Sequence, residues 1–457
     1  MGQFDVGGAE ICVDDGVSGG GLGMGTIEEA VRVLLVGLGE DYEREGLRKT
    51  PVRVAKAFIE GTRGYRQNAR DIVEGALFPE AGIECGTGQA GGAGGLVAVR
   101  DINLFSYCES CLLPFRIQCH VGYVPSRQRV VGLSKLSRVA DVFAKRLQEP
   151  QRLADEICLA LQNSISPAGI FVALQCWHIP FPRSLNHHQN AQLPFRSSMQ
   201  GWVRTRVSSS SGVFNDKNSS FLDDFLFLLK LRGACLGDAG FLNNSWCPSM
   251  ALDVGVTSHP PMVAAAQSIL SSIGEDPFRK ELLGTPNRYF NWLMNFRRSN
   301  LDLKQNGLAL NSIVSHENLN ARVNDRFGIC SELNLPFCAL CEHHLLPFQG
   351  VVHIGLFHDG LEKAIDRSNL QSMVYFYGCK LQVQERLTMQ IAEAVYSVTG
   401  RGVMVVVEAN HICMVSRGIE KVGSSTATIA VKGQFSTDSA AKALFLDAIS
   451  KSTEAES

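Results

Sequence analysis

The chain has 457 residues, of which 45% are hydrophobic and 19% charged, and its formal net charge is −2 at pH 7. This composition is typical of a globular protein of two or three domains, and it argues against a nucleic-acid-binding protein, which usually carries a strong positive excess. No apolar run reaches the roughly 18–20 residues needed to span a bilayer, so neither nucleic acid nor a membrane is an expected partner.

The N-terminal segment is acidic and glycine-rich, which predicts a flexible tail at 1–25. It lacks the basic start and apolar stretch of a signal peptide, and also the arginine- and serine-rich character of a transit peptide. The 14 cysteines form no compact framework, so they are expected to be reduced thiols, most of them packed as small hydrophobic side chains. The expected location is cytoplasmic.

Two long parts of the chain are similar to each other. Residues 39–54 read GEDYEREGLRKTPVRV, and residues 274–289 read GEDPFRKELLGTPNRY, which matches without a gap. Residues 107–117 read YCESCLLPFRI, and residues 340–350 read LCEHHLLPFQG. The sequence therefore predicts two copies of one domain, each far longer than the roughly 20–50 residues of a solenoid repeat.

The first copy begins with an amphipathic helix predicted at 27–38, and the Thr-Pro pair at 50–51 predicts the start of a second helix. Period-2 alternation predicts strands in GLVAVRDINLFSYC and RIQCHVGYVP. Helical patterns follow at 135–147 and 151–163, and IFVALQCWHI returns to a strand. Residues 86–95 read GTGQAGGAGG and are expected to form a flexible loop.

The second copy repeats this pattern, with helices predicted at 263–273, 370–381 and 384–398 and a final long strand in GVMVVVEANHICMVSRG. Between the copies, one amphipathic helix is predicted at 221–233. Each copy is thus expected to have an α+β fold, with an antiparallel sheet and helices on one side. The predicted division is a tail at 1–25, a first domain at 26–215, a linker at 216–260, a second domain at 261–442 and a C-terminal tail at 443–457.

Sulfur and imidazole ligands cluster in the second copy. Cys341, His343 and His344 fall within four residues, and His411 and Cys413 lie two apart at the end of the last strand. A helical turn or an extended strand would put the members of each group on one face. A Cys/His/Cys set suits zinc and leaves a fourth position for water, which is the catalytic pattern. The alternatives are core packing and a structural zinc, which would need a fourth protein ligand that the neighbouring sequence does not offer.

Several long motifs resemble one enzyme family. They are CEHHLLPF, LQVQERLT, ANHICMVSRG and GSSTAT in the second copy, and LRKTPVRVAK, VRDINLFSYCE and VVGLSKLSRVADVFAKRLQ in the first. These motifs are similar to those of GTP cyclohydrolase I, and two fused copies resemble its tandem, plant-type form. The resemblance implies two tunnelling-fold (T-fold) domains, each an antiparallel sheet with paired helices on one face, and active sites between the subunits of a homo-oligomer.

The same resemblance implies zinc-dependent hydrolysis of GTP, the first step of pterin and folate synthesis. Zinc activates a water that attacks C8 of guanine, C8 leaves as formate, and the remainder recloses as dihydroneopterin triphosphate. The implied zinc ligands are Cys341, His344 and Cys413. His343 and His411 would transfer protons beside the metal. The implied substrate contacts of the second copy are Glu385 and Gln384 for the guanine edge and Arg417 for the triphosphate.

The first copy departs from the family pattern at its metal and guanine positions. Ser110 and Cys111 replace the two histidines, and Pro180 replaces the second metal-binding cysteine. Cys108 and His178 remain, which is too few for a catalytic zinc, and the C-x-x-C pair is expected to be packing. A glutamine replaces the guanine-binding glutamate and cannot supply the same two acceptors.

The phosphate contacts diverge in the opposite sense. The first copy keeps a basic set that suits a triphosphate: Arg53, Lys56, Ser134, Lys135 and Arg138. The second copy has Asn291, Asn369 and Ser372 at three of these positions and retains Ser368 and Arg288. Because the losses are complementary, the chain is interpreted as a pseudo-heterodimer, with composite active sites where a first-copy surface meets a second-copy surface.

Two other functions fit parts of the sequence. A non-catalytic regulator that binds a pterin or nucleotide would follow if the copies could not pool residues, but the intact metal and proton set argues against it. Another enzyme of the same fold, such as a nitrile reductase or a pyruvoyl-pterin synthase, would arrange its catalytic residues differently. Since exposed sheet edges are a liability, a closed ring of alternating copies is the expected assembly.

Overall fold

The computed structural model describes residues 20–74, 77–79, 95–126, 129–179, 203–216, 219–231, 246–249, 259–305, 322–324, 328–357, 365–419 and 424–454. The predicted loop at 86–95, apart from its last residue, and most of the predicted tail at 1–25 lie outside these ranges, as does Pro180. Within them, no helix combines the length and apolarity that a membrane crossing requires.

The first copy forms a five-stranded sheet. The described strands of this copy, in chain order, are β1 (Leu77–Pro79), β2 (Val97–Cys108), β3 (Pro114–Val124), β4 (Arg129–Val131), β5 (Leu147–Gln148), β6 (Gly169–His178) and β7 (Val203–Gly212). The sheet order is β5-β2-β3-β6-β7, and β1 pairs with β4 separately. All neighbours are antiparallel except β2 and β5.

The second copy repeats this sheet. Its strands are β8 (Arg322–Asn324), β9 (Ile329–Cys341), β10 (Pro347–Phe357), β11 (Leu381–Gln382), β12 (Gly402–His411) and β13 (Thr426–Gly433). They run in the order β11-β9-β10-β12-β13, with β8 paired to β9. The equivalent strands of the two copies even share one irregularity, because the register shifts at Asp101 in β2 and at Asn334 in β9, where φ is positive in both cases.

Paired helices cover one face of each sheet. The α-helices of the described residues, in chain order, are α1 (Gly20–Gly37), α2 (Thr50–Gly61), α3 (Ala69–Val73), α4 (Leu133–Ala144), α5 (Pro150–Ile165), α6 (Phe221–Lys230), α7 (Pro260–Ile273), α8 (Thr285–Gln305), α9 (Arg367–Gly378), α10 (Gln384–Thr399), α11 (Ile412–Val415) and α12 (Ser439–Glu454). α4 and α5 pack on the first sheet, and α9 and α10 pack on the second. The α+β prediction is confirmed, and the arrangement is consistent with two tandem T-fold domains.

The pairing of these helices with their sheets follows from the spacing of apolar residues. In α10, Leu387, Ile391 and Val395 recur every fourth residue and are fully buried. Positions four apart lie on the same helical face, so this stripe packs against β12 and β13. The opposite face, which begins with Glu385, stays exposed.

The two copies also pack against each other through their first helices. α1 lies against α7, with Ile27 and Leu34 of one copy and Met262 and Leu270 of the other fully buried. Contact is close, since a Cβ on Gly37 would come within 2.3 Å of the Met262 sulfur. The copies therefore share one continuous hydrophobic core.

The opposite face of each sheet is covered by a further helix. α6 packs Phe225 against Phe171 of the first sheet, with ring centroids 5.3 Å apart, and α12 packs Phe445 against Gly355 of the second. Both helices follow the last strand after a short 3-10 turn. Residues 221–230 and 443–454, which the sequence assigns to a linker and a tail, are thus equivalent elements of the two copies. Their buried phenylalanines explain why they pack on the sheets.

Candidate metal centre and composite cleft

Three metal-binding groups meet at one end of the second sheet. Cys341 ends β9, His411 ends β12, and Cys413 lies in the short helix α11 that follows. One ligand atom from each lies within 4.8 Å of the other two. β10 joins the two strands, with Phe348 opposite His411 in the ladder, so the sheet itself brings the distant sequence segments together.

His343 and His344 occupy the tight turn between β9 and β10, where Leu345 adopts a positive φ of 52°. Among the described residues, His344 is not part of the 4.8 Å group. Its Nδ1 atom is buried and has no hydrogen-bond partner within the described part of the chain. His344 is therefore beside the cluster with an uncommitted ring nitrogen, and His343 is half-buried in the same turn.

Gln384 fixes the orientation of His411. The side-chain amide nitrogen of Gln384 donates to the carbonyl oxygens of Val407 and Thr426, at 3.1 and 2.8 Å. Its Oε1 must then be the acceptor of the 2.8 Å bond from His411 Nε2. Phe348 stacks on the imidazole at 4.6 Å between ring centroids. The neutral ring is thus held as the Nε2–H tautomer, which leaves Nδ1 able to accept a proton.

The cluster favours one thiolate. Hydrogen bonds from Cys413, and to a lesser extent from His344 and His411, lower the pKa of Cys341 to about 2. The interaction with Cys341, together with burial, raises the pKa of Cys413. The two cysteines thus share one proton beside the histidine nitrogens. A cation that binds thiolates would take the place of this proton.

A cavity beside this cluster is lined by both copies. Arg417, which lines this cavity, donates from Nε to the Cys413 carbonyl at 2.6 Å. The cavity has apolar lining residues and the polar residues Glu60, Arg63, Ser106, Tyr107, Lys145, Ser416 and Arg417. Three of these side chains are cationic, and burial lowers the pKa of Lys145. Sequence reasoning singled out neither Arg63 nor Lys145: Lys145 lies within the motif VVGLSKLSRVADVFAKRLQ but beyond its serine and basic helix start, and Arg63, which pairs with Asp141, lies in none of the quoted motifs.

Helix α2 of the first copy forms one wall of the same cavity. Thr50, at its first turn, donates to the Glu342 carbonyl at 2.6 Å, directly beside the metal cluster. Ala57 and Glu60 line the cavity further along the helix. Arg53 and Lys56 lie one turn before these residues and share their face of the helix. The structure therefore brings this pair towards the second-copy centre of its own chain.

The other first-copy phosphate candidates lie elsewhere. Ser134, Lys135 and Arg138 occupy the first two turns of α4, with Ser134 and Arg138 exposed. The opposite end of this helix reaches the cavity through Lys145, so at 1.5 Å per residue the three lie about 10 to 16 Å away along the axis. Within one chain these three groups do not line the cleft. Glu385 is exposed at the start of α10, next to Gln384, which bonds His411 of the cluster.

The turns that carry the metal-binding residues are held by charged contacts between copies. Glu342 is buried and pairs with Arg44 at 3.0 Å and Arg386 at 2.6 Å. In the first copy, Glu109 pairs in the same way with Arg152 at 2.6 Å and Arg279 at 3.1 Å. Each turn is thus held by one arginine from its own copy and one from the other.

The first copy contains a second cluster that sequence reasoning did not find. Cys108, Cys111, His178 and Cys247 are all buried, and their ligand atoms lie within 4.8 Å of one another. The expectation that Cys108 and Cys111 are mere packing overlooked Cys247, which lies in the predicted linker. The C-x-x-C pair was the available signal, but no spacing rule connects it to a cysteine that far along the chain.

Comparisons with known proteins place the whole chain in one family. The sequence profile described as GTP cyclohydrolase I matches residues 27–215 and 262–450. A protein from Solanum lycopersicum named GTP cyclohydrolase 1 is 58% identical over 94% of this chain and 93% of its own length. One of the same name from Arabidopsis thaliana is 51% identical over 98% and 97%. A relative from Dictyostelium discoideum, also so named, is 37% identical over 45% of this chain and 78% of its own length.

Proposed function

We propose that the protein hydrolyses GTP to dihydroneopterin triphosphate and formate. The chain belongs to the GTP cyclohydrolase I family and is a hydrolase. The observation that carries this proposal is the convergence of Cys341, His411 and Cys413 beside a cleft lined by cations from both copies. The cleft offers positive charge for a triphosphate next to ligands for a catalytic metal. The proposed pathway role is the first step of pterin and folate synthesis.

The proposed metal is zinc, and the residues present fit it. Sulfur and imidazole ligands are those that zinc prefers, and Cys341, His344 and Cys413 would hold the ion. Support comes from the uncommitted, buried Nδ1 of His344 and from the low pKa of Cys341. A bound zinc ion would supply the Lewis acidity that activates water at neutral pH.

The proton transfers are assigned to His343 and His411. His411 is supported by its fixed tautomer, since the Nε2–H bond to Gln384 presents Nδ1 to the cluster, where it would accept a proton from water. His343 would exchange protons with the opening imidazole ring of guanine. Gln384 is buried with its polar atoms engaged within the chain, so its contribution to the guanine site is to position His411. The exposed carboxylate of Glu385 would accept the two N–H groups of the guanine edge.

Triphosphate binding is proposed to need two chains. Arg53, Lys56 and Arg417 would act from the chain that holds the metal, as the position of α2 along the cleft supports. Ser134, Lys135 and Arg138 would come from the first copy of a neighbouring chain in a homo-oligomer, because they lie too far from the cleft of their own chain. A helix start with exposed hydroxyl and basic groups suits a phosphate.

The domain division at 26–215 and 261–442 and a cytoplasmic location stay as proposals. The matched segments 27–215 and 262–450 support the first, and the near-neutral composition is in keeping with a protein that binds neither nucleic acid nor membranes. The continuation of the match beyond 442 favours a second domain that includes most of α12.

Complementation between inactive chains tests the composite site. Lys135→Ala and His343→Ala should each lose GTP hydrolysis, followed by pterin fluorescence and formate, and should regain it when co-expressed. About a quarter of the sites in a randomly mixed assembly would then contain both native residues. If Lys135→Ala alone retains full activity, the first copy contributes no phosphate contact and the composite site is wrong.

A matched pair of variants separates the two groups of phosphate contacts. Arg53→Ala with His343→Ala should not complement, because Arg53 serves the metal centre of its own chain and each chain would carry one defect at the same site. Recovery of activity in this pair would show that Arg53 acts on a neighbouring chain instead. Normal zinc content with no turnover of GTP in the native protein would favour a non-catalytic binding protein.

A further inference from the structure

We propose that the first copy holds a structural zinc ion, bound by Cys108, Cys111, His178 and Cys247. Three sulfurs and one imidazole nitrogen form a closed set of four ligands, which is the structural rather than the catalytic pattern of zinc. The inference is independent of the proposed GTP hydrolysis, since none of these residues lines the cleft beside the second-copy centre.

The geometry of the four ligands fits a tetrahedral ion. Tetrahedral zinc with sulfur and nitrogen ligands separates its ligand atoms by roughly 3.5–3.8 Å. The His178 Nε2 atom lies 3.3 Å from the Cys111 sulfur and 3.6 Å from the Cys247 sulfur. All four ligand atoms lie within 4.8 Å of one another, so they need only small shifts to enclose an ion.

The tautomer of His178 also suits its role as a ligand of the metal ion. Its Nδ1 atom lies 2.8 Å from the Ile179 carbonyl oxygen, which can only accept, so Nδ1 carries the proton. The Nε2 atom, which faces the sulfurs, then has a lone pair to donate. A backbone carbonyl that fixes the second nitrogen is the usual support for a histidine bound to a metal.

The four candidate ligands are closed off from solvent, which leaves no room for a water ligand. Cys108, Cys111 and Cys247 are at most 1% exposed, and Trp246 covers the cluster with its ring 5.1 Å from that of His178. Trp246 also packs edge-on against Phe115 of the first sheet, at 4.9 Å. The segment 246–249 is thus anchored to the sheet directly over the cluster, where Cys247 completes the ligand set.

The chain positions explain how a catalytic centre could become a closed one. Cys108 and His178 are equivalent to Cys341 and His411, and Cys111 stands where the second copy has His344. Cys247 supplies the third sulfur, although it comes from outside both segments that the family profile matches. The fourth coordination position, which a catalytic zinc leaves to water, would be filled by protein.

Metal analysis of the purified full-length chain tests the site. We expect two zinc ions per chain in the native protein, one in Cys247→Ser, one in Cys413→Ser and none in the double variant. Cys119→Ser, which removes an equally buried thiol on β3, is the matched control and should retain two. A zinc content of Cys247→Ser equal to that of the native protein, whatever that content is, would overturn the proposal, and a fall confined to Cys413→Ser would do the same.

Cobalt substitution gives a second measurement that does not depend on the folding of Cys247→Ser. Cobalt in Cys413→Ser should show the charge-transfer bands of three thiolates and the visible bands of a tetrahedral ion. Added GTP should leave this spectrum unchanged, because no coordination position is open. A spectrum that lacks thiolate bands, or a Cys108–Cys111 disulfide in the protein purified under reducing conditions, would also rule the site out.

Discussion

The equivalent histidines of the two copies present opposite nitrogens. The Ile179 carbonyl accepts a hydrogen bond from Nδ1–H of His178, so Nε2 faces the sulfurs. In His411, the side-chain oxygen of Gln384 accepts a hydrogen bond from Nε2–H instead. A single hydrogen-bond partner thus decides which ring nitrogen the same strand position presents to its cluster. The first copy has Pro150 where the second has Gln384, so it has no amide to hold its histidine in the second way.

Replacement of Gln384 should impair proton transfer more than folding. In Gln384→Ala, His411 loses the partner that fixes its tautomer, and we expect kcat to fall by about 10- to 100-fold with a smaller change in KM. Steady-state kinetics, with Gln151→Ala at the start of α5 as the control, checks this. An unchanged kcat, or equal losses in kcat and stability, would mean that Gln384 has only a packing role.

A buried histidine in each sheet makes stability dependent on pH. Burial lowers the pKa of His353 to about 4 from 6.5, and its Nδ1 accepts from the Asn334 backbone at 3.3 Å. Because the folded state binds the proton less tightly than the unfolded state, the stabilisation is complete above pH 6.5 and is lost as the pH falls towards 4. The full loss is about 3 kcal/mol. Burial also lowers the pKa of the equivalent His120.

Denaturant unfolding between pH 8 and pH 4 measures this loss. His353→Gln keeps a side-chain acceptor for the Asn334 amide but has no group that titrates in this range. We expect the native protein to lose about 3 kcal/mol more than the variant as the pH falls. Parallel curves for the two proteins would show that His353 is protonated in the folded state without penalty.

At the scale of elements, the helix starts of one copy hold the metal-site turn of the other. Thr50 at the start of α2 donates to the Glu342 carbonyl at 2.6 Å, and Thr285 at the start of α8 donates to the Glu109 carbonyl at 2.5 Å. Both threonines are fully buried. The contacts are reciprocal, so damage to one copy's helix should be detected at the other copy's cluster.

Thr50→Val and Thr285→Val test this reciprocity. Each substitution keeps the shape of the side chain and removes one buried hydrogen bond, which should cost about 1–2 kcal/mol. Thr50→Val should weaken zinc retention at the second-copy centre, and Thr285→Val should weaken it at the first-copy cluster. Zinc release to a chelator, measured for each variant in a Cys247→Ser or Cys413→Ser background, distinguishes the two. Equal effects on both sites would contradict the crossed arrangement.

The sequence predicted local elements well and long-range contacts poorly. The helix predicted at 384–398 is observed as α10, and the helix predicted at 151–163 as α5, because their apolar spacing is set by local packing. Motif spacing and resemblance predicted metal ligands at Cys341, His344 and Cys413, whereas the observed group contains His411 in place of His344. Cys247 and the crossing of α2 onto the other copy could not follow, because no periodicity records which distant segments meet.

On the scale of the whole molecule, the copies depend on each other for their core. α1 and α7 bury apolar faces against each other, and full exposure of a Leu, Ile or Met side chain costs about 1.5–3 kcal/mol. Separation of the copies would also remove Arg44 from Glu342 and Arg279 from Glu109, leaving each buried carboxylate with one partner fewer.

Expression of the copies as separate chains, divided in the 250–258 segment, tests this dependence. Each half alone should aggregate, and the two should become soluble together when they are co-expressed. Light scattering and co-purification through a tag on one half would report this. A soluble, monomeric second half that retains zinc by itself would show that the copies fold independently.

The crossed threonine contacts have a consequence for the history of the chain. After a duplication, one copy of a domain can normally be lost. Here each copy carries the helix whose first threonine holds the metal-site turn of the other copy. Deletion of either copy would therefore also remove the threonine that holds the metal-site turn of the other. The fusion also supplies the two halves in a fixed one-to-one ratio, so that each copy always has the partner whose threonine it needs.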